Sequence, residues 1–139
     1  MPKIILIEDI VRVCDEINFL LKSKFDISTF YNARTFCDVK KQKAFQETVA
    51  NTDFFLLDFN LGDATLMSSN IYEFILQHKK KEGIIICISS YGREIVDKNC
   101  ELVALQYNLK SPFDYYLQKN PELISNFIQN FDNTNSLRS

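Results

Sequence analysis

The chain has 139 residues, 46% of them apolar and 24% charged, which suits one globular domain with a sizeable core. A net charge of −2 and a pI of about 5.4 argue against a dedicated nucleic-acid or membrane-surface binder, which is usually basic. No apolar run approaches the roughly 18 residues of a membrane span, and Glu8-Asp9 comes too early for a secretory signal.

Cys14, Cys37, Cys87 and Cys100 are scattered, with no Cys-x-x-Cys pairing. They suit reduced thiols used as small hydrophobes, and the expected location is the cytoplasm. No nucleic acid and no membrane is expected as a partner.

In chain order, Lys3-Ile4-Ile5-Leu6-Ile7 is an unbroken apolar run that stops at Glu8-Asp9. It predicts a first strand. Ile10, Cys14, Ile17, Leu20 and Leu21 recur at helical spacing and predict a helix ending near Lys24. Phe25 to Thr29 alternates at period two and predicts a second strand at the sheet edge. Asn32 is suited to cap a helix running through Thr48, with Phe36, Val39 and Phe45 on one face. Lys40, Lys41 and Lys43 read as a solvated face of it.

Phe54-Phe55-Leu56-Leu57 is a second unbroken run and ends on Asp58. Such a run is the mark of a strand buried on both faces of a parallel sheet. A loop follows. Ser68, Ser69 or Asn70 caps a helix with Ile71, Phe74 and Ile75 inward, and Gly83 suits its end. His78, the only histidine, reads as a surface residue. Ile84 to Ile88 predicts the fourth strand, ending on Ser89-Ser90, and a short helix follows to about Leu102. The stretch 104–109 predicts the fifth strand, ending on Lys110. Asn120-Pro121 starts an amphipathic last helix through Phe131. Residues 132–139 read as a polar disordered tail, leaving 1–131 as the domain.

Strand and helix alternate five times. Right-handed crossovers make this an α/β, flavodoxin-like, doubly wound parallel sheet of order 2-1-3-4-5. The carboxyl ends of its strands then converge on one patch, the edge where open α/β sheets bind ligands. Glu8, Asp9, Asp58, Ser89 and Lys110 fall there. Three close carboxylates repel one another, and a divalent cation relieves that. Hard oxygen donors favour Mg²⁺. Carboxylates, a hydroxyl and an ammonium around it suit phosphoryl handling, with an aspartate able to act as nucleophile.

These segments, with Leu56 to Asn60, Ile86 to Ser90 and Lys110-Ser111-Pro112-Phe113, resemble the signatures of response-regulator receiver domains of two-component signalling. The resemblance covers about residues 3–131. It implies that Asp58 accepts phosphate from a phosphohistidine. It implies a Mg²⁺ shell from Glu8, Asp9, Asp58 and the backbone carbonyl of Asn60. Ser89 would be the switch hydroxyl, Tyr107 the aromatic switch and Lys110 the site lysine. Implied partners are a histidine kinase or phosphotransfer protein and an output protein, with the chain a monomer or a phosphorylation-dependent dimer. As no DNA-binding segment follows Phe131, a stand-alone regulator acting through protein contacts is expected. It would catalyse only its own phosphorylation and dephosphorylation.

Three features depart from the family. The loop after Asp58 lacks the usual proline and later glycine. Ser111 separates Lys110 from Pro112. The fourth helix is short. Alternative readings are a receiver-like interaction module without phosphorylation, and an aspartyl-phosphate phosphatase. The phosphatase is disfavoured because Asn60, not a second aspartate, stands two residues after Asp58. A flavin module is weaker still, for want of a phosphate loop after the first strand.

Overall fold

A computed structural model describes residues 1–58, 64–88 and 93–138. Its strands are β1 (Lys3–Ile7), β2 (Asp26–Phe30), β3 (Phe54–Leu57), β4 (Ile84–Cys87) and β5 (Tyr115–Tyr116). The helices are α1 (Val11–Leu21), α2 (Ala33–Val39), α3 (Lys43–Ala50), α4 (Ala64–His78), α5 (Arg93–Gln106) and α6 (Pro121–Arg138). All strand pairings are parallel and the order is β2-β1-β3-β4-β5, the expected one. The fold is the flavodoxin-like one that the alternation of elements implied.

The unbroken apolar runs are central strands because both faces of the sheet are covered. Side chains alternate across a strand, so each run feeds two cores. Ile5, Ile7, Phe55 and Leu57 pack on one side against Phe36, Ile71, Ile75 and Val103 of the helices there. Ile4, Leu6, Phe54 and Leu56 pack on the other against Ile17 and Leu21 of α1 and Ile124 and Ile128 of α6.

The single helix expected from Asn32 to Thr48 is two. Asn32 does cap α2, its Oδ1 accepting from Thr35 N at 2.8 Å. The chain then breaks and restarts as α3. Phe36 and Phe45 are nine residues apart, or two and a half helical turns, so one straight helix would send them to opposite sides. The break lets both reach Phe30, at 5.3 and 5.5 Å between ring centres, and each other at 5.2 Å. Phe36 is fully buried at this junction. Phe36→Ala is expected to cost about 3–5 kcal/mol in urea unfolding of the full chain, the range for deleting a buried aromatic ring.

The expected fifth strand at 104–109 is instead the end of α5. Cys100, Val103 and Ala104 share a buried face at helical spacing, which outweighs the weak alternation there. Asn108 takes a left-handed conformation with φ of 61°. Leu109 N then donates to Ala104 O at 3.0 Å and Asn108 N to Leu105 O at 3.2 Å, a Schellman closure. The fifth strand is Tyr115–Tyr116, opposite Ile86 and Cys87. Just before it, Asp114 exchanges two bonds with Ile85. Its N–H donates to Ile85 O, and its Oδ2 accepts from Ile85 N, both at 2.8 Å.

Two smaller expectations also change. Residues 132–138 are not a disordered tail but continue α6. Extending a formed helix adds a hydrogen bond per residue without a new nucleus. Gly83 serves close packing rather than a left-handed cap. A Cβ there would lie 3.2 Å from the carbonyl oxygens of Lys80 and Thr52.

Candidate functional site

Parallel register brings the strand ends level. Ile7 lies opposite Leu57, and Leu57 opposite Cys87. The ladder runs one step further, Glu8 N donating to Phe30 O at 3.0 Å and Asp58 N to Ile7 O at 2.9 Å. Glu8 and Asp58 are therefore held by their own backbones at the sheet edge. Both side chains are fully buried, whereas Asp9 faces solvent. Glu8, Asp9 and Asp58 each offer an oxygen, and these oxygens lie within 4.8 Å of one another. The three carboxylates expected to meet do meet.

The ammonium among them belongs to Lys119. Its Nζ contacts Asp58 Oδ2 and donates to Glu8 Oε1 at 3.3 Å. The stem is well placed by its neighbours. Leu117 N donates to Cys87 O at 2.9 Å, closing the strand side. Asn120 Oδ1 accepts from Leu123 N at 3.2 Å, capping α6, and Pro121 is its first residue. Lys119 is thus gripped between β5 and α6 with only 13% of its side chain exposed.

Burial, and then the adjoining charge of Asp58 and the hydrogen bond shared with it, push the Glu8 carboxyl up to about 8. The Ile10 N–H and Lys119 pull the other way but less. Burial also pulls the Lys119 ammonium down. Its hydrogen bond and attraction to Asp58, with Glu8 adding to them, outweigh that and leave it above the usual lysine range. Glu8 Oε2 is 3.2 Å from Lys119 Nζ, close enough for attraction, yet it is buried without a hydrogen-bond donor among the described residues. Cys14 Sγ donates to Glu8 O at 3.3 Å. Burial and the charge of Glu8 push that thiol up to about 12, in keeping with a packed thiol.

Lys110 does not occupy the expected place. Because 93–106 is helix, Lys110 falls in the exposed turn after α5. Ser111 and Pro112 belong to that connection. Ser111 Oγ donates to Phe113 O at 3.1 Å, and Pro112 O accepts from the buried Tyr72 hydroxyl. Among the described residues no peptide bond is cis. Tyr107 is likewise on the turn after α5, not on a strand, and its hydroxyl donates to Glu73 Oε1 of α4 at 3.4 Å. The tyrosines on β5 are Tyr115 and Tyr116. Asn60 and Ser89 lie outside the described residues.

A signal for Lys119 was present. Lysine, one residue, then proline occurs twice, as Lys110-Ser111-Pro112 and as Lys119-Asn120-Pro121. Only the second follows a strand. Among the described residues the site offers hard oxygen donors, a buried carboxylate oxygen with no hydrogen-bond donor and an ammonium. Glu8, Asp9 and Asp58 fit a Mg²⁺ ion, which prefers such donors and would satisfy Glu8 Oε2.

The structure resembles several solved proteins. One is a response regulator receiver domain protein from Clostridium thermocellum, at 20% identity and a TM-score of 0.61, with all of each chain covered. Another is a CheY-like response regulator receiver domain protein from Methanospirillum hungatei, at 14% identity and a TM-score of 0.62, covering 100% of this chain and 99% of that one. A third is the chemotaxis protein CheY4 of Vibrio cholerae, at 15% identity and a TM-score of 0.58, covering 94% and 98%. No family model and no curated protein matches the sequence. At these identities the likeness establishes the fold, which is that of response-regulator receiver domains. Among the described residues no helix is long and apolar enough to cross a membrane.

Proposed function

We propose that the chain is a phosphoacceptor of two-component signalling, with Asp58 as the acceptor. The observation that carries this reading is the buried pair of Glu8 and Asp58 shared by the ammonium of Lys119. Two buried carboxylates side by side are costly to keep in a fold unless a cation and a reaction engage them.

Asp58 attacks the phosphorus of a phosphohistidine in line. A bond forms from its carboxylate oxygen to phosphorus as the phosphorus–nitrogen bond breaks, and the imidazole leaves with the electron pair and takes up a proton. Mg²⁺, held by Asp9, Asp58 and Glu8 with the carbonyl of Asn60 completing the shell, would neutralise charge on the phosphoryl oxygens. Lys119 orients Asp58 before the transfer and offsets a phosphoryl oxygen after it. Ser89 donates a hydrogen bond to the phosphoryl group. Its shift, with that of an aromatic on β5, carries the signal to protein partners. Tyr116 takes that aromatic role in place of Tyr107, because it stands beside Cys87 at the end of β4. The donor is a histidine kinase or a histidine phosphotransfer protein, and the chain catalyses only its own phosphorylation and dephosphorylation.

Incubation with phosphoramidate and Mg²⁺ is expected to add one phosphoryl mass, seen by intact mass spectrometry. Asp58→Asn, which keeps the shape and removes the nucleophile, is expected to abolish the addition. Unchanged labelling of that variant would refute the assignment.

A further inference from the structure

The amino-terminal edge of the sheet, opposite the carboxylate cluster, holds a cavity of about 390 Å³. Asp53 and Phe54 lie at the start of β3, Glu82 and Ile84 at the start of β4, and Phe131 and Asp132 on α6. Phe54 and Ile84 are neighbours in the sheet. The Phe131 ring stands edge-on to that of Phe54, with centres 5.7 Å apart. A hollow of this size, apolar on its walls with a few polar groups, suits a small ligand.

Its charge narrows the choice of ligand. Asp53 is already engaged. Its Oδ1 pairs with Lys80 Nζ at 2.6 Å, and its Oδ2 accepts from Lys3 N at 2.8 Å. The carboxylates of Glu82 and Asp132 have neither a cation nor a hydrogen bond among the described residues. No lysine or arginine among them lines the cavity. Two carboxylates without a counter-charge repel an anion and attract a cation. A bare metal ion is the poorer fit. Among the described residues only Glu8, Asp9 and Asp58 bring three ligand oxygens within 4.8 Å of one another. Carboxylates set wider apart around an apolar hollow suit a cation with a body of its own. Phenyl rings attract ammonium and guanidinium groups as well.

We propose that this cavity binds a small organic cation, an ammonium or guanidinium on a short apolar body. The body lies against Phe54, Ile84 and Phe131, and Glu82 and Asp132 hold the charge. The cavity is at the other end of β3 from Asp58, so the binding stands independently of whether Asp58 accepts a phosphoryl group.

The test uses the full chain with n-butylammonium, n-butanol and n-butyrate, which share a body and differ in charge. Amide shifts report both affinity and location. The ammonium is expected to shift the amides around Asp53, Glu82, Ile84 and Phe131 saturably, and the other two probes not. Glu82→Gln with Asp132→Asn is expected to weaken binding at least about tenfold, as loss of hydrogen bonds to a charged group does. Glu82→Gln alone, at an exposed position, is expected to give part of that loss. Phe131→Leu keeps an apolar side chain but removes the ring, and is expected to weaken binding about two- to fivefold. Circular dichroism checks that each variant folds. Asp58→Asn is expected to bind n-butylammonium like the unaltered chain. Absence of a saturable response, an equal response to n-butanol, indifference to both acidic substitutions, or shifts confined to the other edge of the sheet would overturn the proposal. So would Ca²⁺ alone producing the same shifts at comparable affinity, which would make the cavity a plain metal site.

Discussion

Lys119→Ala is expected to slow phosphoryl uptake from phosphoramidate by about two to three orders of magnitude, the cost of removing one preorganised electrostatic partner. Lys110→Ala is expected to leave the rate close to that of the unaltered chain. The contrast follows from position. Lys119 Nζ touches both buried carboxylates, whereas Lys110 sits on an exposed turn beyond α5. Lys119→Arg keeps a charge, but its planar guanidinium is wider than an ammonium and delivers the donors in a fixed fork. Only partial recovery is expected from it. Intact-mass time courses at saturating Mg²⁺ separate the three variants, and circular dichroism confirms that each is folded. Comparable losses in Lys110→Ala and Lys119→Ala would show that the lysine in the site is not the one the fold places there.

The second large effect concerns pH. Glu8 is held protonated up to about 8 in the metal-free folded chain, against an ordinary value of 4.5. Its folded value is raised, so its contribution to stability is complete below the unfolded value. It is then lost as pH rises toward about 8, because the unfolded chain releases this proton first. Urea unfolding without Mg²⁺ is therefore expected to show stability falling by on the order of a few kcal/mol between pH 5 and pH 8.5. Glu8→Gln removes the proton and should flatten the decline. His78, the only histidine, is present in both proteins, so the difference between them isolates Glu8. Saturating Mg²⁺ should flatten the decline in the unaltered chain too, since a bound cation favours the ionised carboxylate and binding releases the proton. An equally steep decline in Glu8→Gln would assign the pH dependence to another group.

Much of this was readable from the residues alone. Ile4 to Ile7, Phe54 to Leu57 and Ile84 to Cys87 are unbroken apolar runs, whose shortness and composition suit a strand covered on both faces. Their order with the helices between them left one economical sheet, and Glu8, Asp9 and Asp58 had to emerge together at its edge. That part rests on local pattern and on a general rule of handedness.

The rest needed the folded chain. Residues 104–109 have the composition of either a strand or a helix end. Burial of Cys100, Val103 and Ala104 on one face of α5, and the left-handed turn at Asn108, decided for the helix. That decision moved the fifth strand to Tyr115–Tyr116, a pairing too short for alternation to reveal. It also chose between two identical lysine–x–proline spacings in favour of Lys119. Similarly, the kink between α2 and α3 comes from three aromatic rings that must meet, and their distances depend on elements far apart in the chain. Local pattern determined which carboxylates share the sheet edge. Long-range packing alone decided which lysine stands among them.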